Sequence, residues 1–273
     1  MGNGFAVSSP FCYNRSLSLV PKLMVRQKGK KHKISLIFPI FEESFVVSDI
    51  KNLGAEFAKR NQKWEAICVI DSSLERTTSK LKLARLPYVK ILSYPLKRLG
   101  KGFALCYGFS QSKGDLVFFW EGNFSISSKQ LILYLDLIEL FQADVVIGSK
   151  RHPLSLVYYS PLRRLCSKLY QFFVRLLFGL NLTDTQAGLS LYRRAVLDTV
   201  IPKIIIKNWT FDLEILVVAH NFGFKRIIEA PIEIRKHFTG KDLKVSLVYC
   251  ILRDTLAVFY RKHLLKYYRQ DFI

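Results

Sequence analysis

Acidic residues are scarce in this chain. Its 273 residues hold 21 Asp and Glu against 42 Lys and Arg, a formal net charge of +21. A field of that sign favours polyanions such as nucleic acid, anionic lipid headgroups or phosphorylated substrates, without choosing among them. Residues 1–32 contain no acid at all and lead through the basic run Lys28-Gly-Lys-Lys-His-Lys33. A loose, solvated arm is expected there; a targeting peptide and an anionic-membrane arm are the alternative uses. Paired cysteines are missing too. Cys12, Cys68, Cys106, Cys166 and Cys250 lie far apart with no C-x-x-C spacing, which argues against zinc and disulfides and for a reducing compartment. No stretch reaches the ~18 apolar residues of a spanning helix. The opening Met-Gly-Asn-Gly carries Ala6 where a myristoylation signal needs Ser or Thr. No internal repeat or low-complexity linker divides the chain. The turn Pro39-Ile-Phe-Glu-Glu43 holds no glycine, against a G-x-G-x-x-G dinucleotide or methyl-donor site.

What is present is ample apolar sequence, 50% of the residues, enough for a sizeable core. Ile34 to Pro39, Trp64 to Ile70, Val89 to Tyr94, Leu116 to Trp120 and Ala143 to Gly148 read as strands, with helical spacing between them. That alternation predicts an α/β fold with a mainly parallel, Rossmann-like sheet and helices on both faces. Leu116 to Trp120 is apolar throughout, as in a strand covered on both sides, and Glu121, Gly122 and Asn123 follow it directly. Ligands of open α/β sheets bind at that carboxyl edge. Gly100-Lys101-Gly102 would offer N–H groups and a cation to a phosphate nearby. Pro161 opens an amphipathic helix with Leu162, Leu165, Leu169, Phe172, Phe173 and Leu176 on one face and Arg163, Arg164, Ser167, Lys168 and Arg175 on the other. A second such helix is expected over about 243–268, suited to a membrane surface or to packing on the domain, with membrane contact favoured.

Several short motifs stand in the order and spacing of a known family. They are Phe38-Pro-Ile-Phe-Glu-Glu43, Val69-Ile-Asp-Ser-Ser-Leu-Glu-Arg-Thr77, Gly100-Lys-Gly-x-Ala104, Gly114-Asp115, Ile147-Gly-Ser-Lys150 and Asp184-Thr-Gln-x-Gly188. Together they resemble family 2 glycosyltransferases, specifically the polyprenyl (dolichyl) phosphate mannose and glucose synthase branch, over about 34–235. The resemblance implies a GT-A type fold. It divides the chain into a basic arm (1–32), a glycosyltransferase domain (33–240) and an amphipathic helical tail (241–273). It further implies an inverting transfer of mannose or glucose from a GDP- or UDP-hexose to a polyprenyl phosphate, peripherally at the cytoplasmic face of an anionic membrane. By carry-over, Pro39, Glu43, Asp71, Lys101 and Glu121 border the nucleotide-sugar; Lys150, Arg163 and Ser167 hold the acceptor phosphate. Glu121 and Asn123 hold Mg2+ or Mn2+ and, with Lys150 and Arg163, form the catalytic set. Glu214, and less so Asp212, would face the cleft, Asp184 and Gln186 would order its loop, and His237 and Lys241 could act as a lid. A phosphate acceptor is already a nucleophile, so it has less need of a separate general base.

The family's Asp-x-Asp appears here as Glu121-Gly-Asn123, one formal charge fewer, and Ile70, Glu75, Glu42 and Ser125 depart from the donor-side pattern as well. Two alternatives therefore stay open beside the active enzyme: a silent relative that binds lipid phosphate or a partner, and the same fold with another ligand. A nucleic-acid-binding protein is the rival of another class. The aromatics fall mostly inside apolar runs and no nucleic-acid motif is present, so no nucleic-acid partner is expected.

Overall fold

The computed structural model describes residues 32–41, 46–95, 99–120, 128–157, 161–186, 188–234 and 245–269. The arm at 1–31, the residues Glu43, Glu121 and Asn123, and the lid residues His237 and Lys241 lie outside the described residues.

Nine strands and eight α-helices are described: β1 (Ile34–Ile40), α1 (Val46–Lys59), β2 (Trp64–Asp71), α2 (Glu75–Leu83), β3 (Val89–Tyr94), α3 (Lys101–Ser110), β4 (Leu116–Trp120), α4 (Ser128–Leu140), β5 (Val145–Ser149), β6 (Leu156–Val157), α5 (Pro161–Phe178), β7 (Leu189–Arg193), α6 (Arg194–Val200), α7 (Phe211–Asn221), β8 (Ile227–Pro231), β9 (Glu233–Ile234) and α8 (Val245–His263). The main sheet runs β3-β2-β1-β4-β7-β5-β8, and β6 and β9 form a second, two-stranded sheet. β7 is antiparallel to both β4 and β5, whereas the other adjacent pairs of the main sheet are parallel. This is the mainly parallel sheet expected.

Strand side chains alternate between faces, and the core divides accordingly. Ile34, Leu36, Phe38 and Ile40 of β1 pack with Ile50, Leu53 and Phe57 of α1, Leu81 of α2 and Tyr134 and Ile138 of α4. Ile37, Ile67, Val69 and Val117 face the other way, onto α3, α5, α6, α7 and Val258 of α8. Helices therefore cover both faces, and β4 is buried at all five positions.

α5 differs from the usual expectation for an amphipathic helix. Its leucine-rich face points outward, with Leu162, Leu165, Leu169, Phe172 and Leu176 each more than half exposed. The inner edge is Gln171, Val174 and Phe178, continued toward the N-terminus at helical spacing by Ser167 and Arg163. Polar partners decide the orientation. Gln171 Nε2 donates to Leu182 O at 3.0 Å, and Ser167 Oγ accepts from Arg151. Among the described residues no helix is long and apolar enough to cross a membrane.

Candidate active site at the carboxyl rim

Topology places the site. β1, β2, β4 and β5 point the same way, so their carboxyl ends share one rim. β1 pairs with β2 as far as Ile40 and Ile70, but its pairing with β4 stops at Ile37 and Phe119. The two strands on either side of the order reversal thus part at the rim, where open α/β sheets form their crevice. Pro39 sits in that stretch of β1 and has no N–H to give to a neighbour. Because β7 runs antiparallel, the loop before it reaches the same rim, between the ends of β4 and β5. Trp120, the last residue of β4, pairs with Leu189, the first of β7.

At the carboxyl end of β2, Asp71 closes the strand and is 2% exposed. One carboxylate oxygen accepts from Ser73 N at 3.0 Å and Ser73 Oγ at 2.5 Å, an Asx-type turn that fixes the strand exit. Lys101 opens α3, and its ammonium meets Asp212 of α7 at 2.5 Å, with both side chains largely buried. The phosphate cradle expected of Gly100-Lys101-Gly102 changes here: the Gly102 N–H donates to Lys207 O at 2.7 Å. A Cβ at Gly102 would stand 2.6 Å from Phe211 Cδ2 and 2.9 Å from Lys207 Cα. Both glycines let the 207–211 segment pack against the turn, so this motif brings Asp212 to Lys101.

At the carboxyl end of β5, Lys150 and Arg151 follow the strand. The Lys150 N–H donates to Asp184 Oδ2 at 3.0 Å; its ammonium lies 3.5 Å from the same oxygen and also donates to Gln186 O. Asp184 Oδ1 accepts from Gln186 N at 3.0 Å, the loop-ordering part expected of Asp184 and Gln186. Arg151 reaches Thr183 O at 2.5 Å and Ser167 Oγ at 2.7 Å, and donates to Ser167 O. It thereby ties α5 to the rim. Arg163, one helical turn before Ser167, is half-buried on the same edge of α5. Beneath them Glu229 of β8 accepts from Thr183 N (2.9 Å), Thr183 Oγ1 (2.6 Å) and Asp184 N (2.9 Å). His152, half-buried in the turn after β5, is held below the ordinary histidine value by burial, opposed by the Glu229 charge.

Asp71, Pro39, Lys101, Lys150 and Ser167 thus collect on one rim, with Arg163 beside Ser167. Glu214 does not join them. It is fully buried, accepting from Ile205 N (3.1 Å), Ile206 N (2.7 Å), Arg261 Nη2 (2.9 Å) and the Tyr268 hydroxyl. That is a scaffold role, which fastens the chain after α8 to α7. Sequence reasoning missed Arg151 and Glu229. The signal for Glu229 was a single acid inside the apolar strand Ile227–Pro231; Arg151 lay hidden beside Lys150.

Among the described residues no group of three or more His, Cys, Asp and Glu could hold a metal ion. The expected donors, Glu121 and Asn123, offer one carboxylate and one amide oxygen. Both are hard donors that suit Mg2+ or Mn2+, ions that keep several waters and take other ligands from phosphates.

The profile of glycosyl transferase family 2 matches residues 35–201. The chain is 27% identical to the dolichyl-phosphate beta-glucosyltransferase of Saccharomyces cerevisiae, over 92% of this chain and 81% of that protein. It is 23% identical to that of Trichomonas vaginalis, over 83% and 71%. Among solved structures, mannosyl-3-phosphoglycerate synthase from Rubrobacter xylanophilus shares the fold with a TM-score of 0.65 at 15% identity, over 88% of this chain and 77% of that one. Glucosyl-3-phosphoglycerate synthase from Mycobacterium tuberculosis, solved with Mn2+, UDP-glucose and glycerol 3-phosphate, gives 0.62 at 14%, over 85% and 80%. The sheet is therefore of the GT-A type.

Proposed function

This chain belongs to glycosyl transferase family 2, and we propose that it transfers glucose from a nucleotide-sugar to a dolichyl-type polyprenyl phosphate, with inversion, at the cytoplasmic face of a membrane. The relatives' names favour glucose over mannose. UDP-glucose is the first donor to test, and GDP-mannose is the contrast. Asp71 accepts from the base, Pro39 and Glu43 border the base and ribose, and Lys101 stands near the nucleotide. Lys150, Arg163 and Ser167 grip the acceptor phosphate, and Arg151 positions Ser167. An acceptor oxygen so held attacks the anomeric carbon, and the nucleoside diphosphate leaves with the bonding pair. A divalent cation bound from Glu121 and Asn123 would offset the charge of that leaving group.

The observation that carries the reading is the shared rim. Asp71 at the end of β2 and Lys150 and Arg151 after β5 flank one crevice, with the Asp184 loop between them, which supports a donor on the first edge and an acceptor on the second. The test is a nucleotide-sugar panel with polyprenyl phosphate, with and without Mn2+. UDP-glucose transfer is expected, lost with a chelator. Asp71→Ala should abolish donor binding by calorimetry, and Arg163→Ala should weaken acceptor use more than donor binding; unchanged donor binding by Asp71→Ala removes that residue from the site. A silent, lipid-phosphate-binding relative is the second reading, favoured by the single carboxylate at 121–123. Polyprenyl phosphate binding without transfer from any donor would select it. We further propose the division into arm (1–32), domain (33–240) and helical tail (241–273).

A further inference from the structure

After α8 the chain turns back on itself. α8 is docked by Val258 in the core and by Thr255, whose Oγ1 stands 3.0 Å from Tyr170 Oη on α5. Beyond it the N–H groups of Leu264 and Leu265 both donate to Tyr260 O at 3.0 Å, and Lys266 takes a left-handed φ of 53°. The Tyr267 N–H closes the turn on Arg261 O at 2.9 Å. This strap delivers Tyr268, 1% exposed, against α7, where Asn221 Nδ2 donates to its carbonyl.

Three side chains close a triangle there. Arg261 Nε donates to Tyr268 Oη at 2.8 Å, the Tyr268 hydroxyl donates to Glu214 Oε1, and Arg261 Nη2 donates to the same oxygen at 2.9 Å. Burial, and then the Glu214 charge, push the Tyr268 hydroxyl well above the ordinary tyrosine value, so it stays a donor. Glu214 Oε2 takes the N–H groups of Ile205 and Ile206. Each carboxylate oxygen thus accepts twice, which fills the accepting sites of a carboxylate. Glu214 has nothing left to offer a ligand, and its effect passes through the groups it holds.

Two routes lead from Glu214 to the rim. By the first, Ile205 and Ile206 continue into Lys207, whose carbonyl accepts from Gly102 N at 2.7 Å in the turn that opens α3. By the second, Glu214 shares the first turn of α7 with Asp212, whose carboxylate meets the Lys101 ammonium at 2.5 Å. Lys101 stands where the routes converge. A lysine stem is long and flexible, so its ammonium is only as well placed as the backbone it leaves and the carboxylate it meets. We propose that Tyr268 and Arg261 are positioning residues for Lys101, the strap after α8 fixing both the backbone and the counter-ion of that lysine through Glu214. The consequence for the donor rests on the reading of Lys101 given above; the brace itself does not.

The test uses the full chain. Hydrogen exchange at the Gly102 amide reports the brace, and UDP affinity by calorimetry with Mn2+ reports its consequence for the donor. Tyr268→Phe keeps the ring and removes one hydroxyl from the triangle. It should speed exchange at Gly102 and weaken UDP binding, each roughly tenfold, with the acceptor KM unchanged. In a Lys101→Met background the same change should take almost nothing further from UDP affinity, because the group it positions is gone. Asn221→Ala, which releases the Tyr268 carbonyl and spares the triangle, should move both readouts the same way and serves if Tyr268→Phe does not fold. Tyr267→Phe, at the exposed neighbour, should leave both at native values. Native exchange at Gly102 in both Tyr268→Phe and Asn221→Ala overturns the inference. Additive losses with Lys101→Met, the result of a merely structural role, overturn it as well. If Gly102 exchange rises but Lys101→Met binds UDP as tightly as native, the brace stands and the donor role of Lys101 falls. If Lys101→Met weakens UDP binding while Gly102 exchange stays native in the strap variants, the donor role stands and the strap is rejected.

Discussion

Glu214 offers the sharpest test of how the rim is braced. Its carboxylate is 0% exposed, and Arg261, its ionic partner at 2.9 Å, is 14% exposed. The other oxygen takes the N–H groups of Ile205 and Ile206, at 3.1 and 2.7 Å. Glu214→Gln keeps the shape and one accepting oxygen but removes the charge, leaving a guanidinium in surroundings that water scarcely reaches. Removing one partner of a buried ion pair costs about 3–5 kcal/mol; the retained oxygen puts Gln near the lower end. At about 2–4 °C per kcal/mol for a domain of this size, the melting midpoint should fall by about 6–12 °C. Far-UV melts of Glu214→Gln, Arg261→Met and the double variant measure this. The double variant should be less destabilised than the sum of the singles by at least about 1 kcal/mol, because neither lone charge then remains. A midpoint within about 2 °C of native for Glu214→Gln, or strictly additive losses, refutes the brace.

Three further outcomes are expected. Arg151→Met releases Ser167 and should raise the acceptor KM roughly tenfold, with donor affinity by calorimetry unchanged; a shift in donor affinity instead would remove Arg151 from the acceptor side. Gly102→Ala forces a Cβ against Phe211 and Lys207 and should cost about 1–3 kcal/mol in urea unfolding, so an unaffected midpoint would contradict the close packing of that turn. His152 and His220 are both held below the ordinary value of 6.5, chiefly by burial, with Lys262 and Lys225 adding to the effect at His220. The unfolded chain therefore binds more protons as pH falls through about 6.5, and stability is full above that value and declines below it. Replacing both with Gln should flatten that decline between about pH 7 and pH 5, and an unchanged slope would show that other groups set it.

Strands were the legible part of this fold. Leu116–Trp120 is apolar at every position and proves buried at every position, because a two-sided strand leaves no polar face to confuse the pattern. The antiparallel direction of Leu189–Arg193 was not legible, since a five-residue run carries no mark of polarity. The orientation of α5 was equally hidden. Both of its edges hold large apolar residues, and the choice between them was made by Arg151, Leu182 and Thr255, none of which is adjacent in sequence. Glycine spacing misled at Gly100-Lys101-Gly102 for a related reason. Glycines that admit a phosphate and glycines that admit a neighbouring backbone look alike until the neighbour, Lys207–Phe211, is in view. The motif order identified the family, whereas the bracing roles of Glu214 and Glu229 became visible only from the groups packed around them.

The charge excess reads differently once the fold is known. Lys101 is answered by Asp212, Lys150 by Asp184 and Arg261 by Glu214. The cations nearest the crevice and its brace are thus held in place by carboxylates, which lowers the field a diphosphate would meet there while fixing the geometry it would meet. Twenty-one acids cannot match 42 bases one for one, and exposed α5, with Arg164 and Lys168 and no acid of its own, is one place where the surplus lies. A surplus on a flank steers the whole molecule toward an anionic surface; paired cations at a rim orient individual ligands. Net charge therefore bears on where this protein would dock, whereas the geometry a ligand would meet at the rim is set by the few paired groups there.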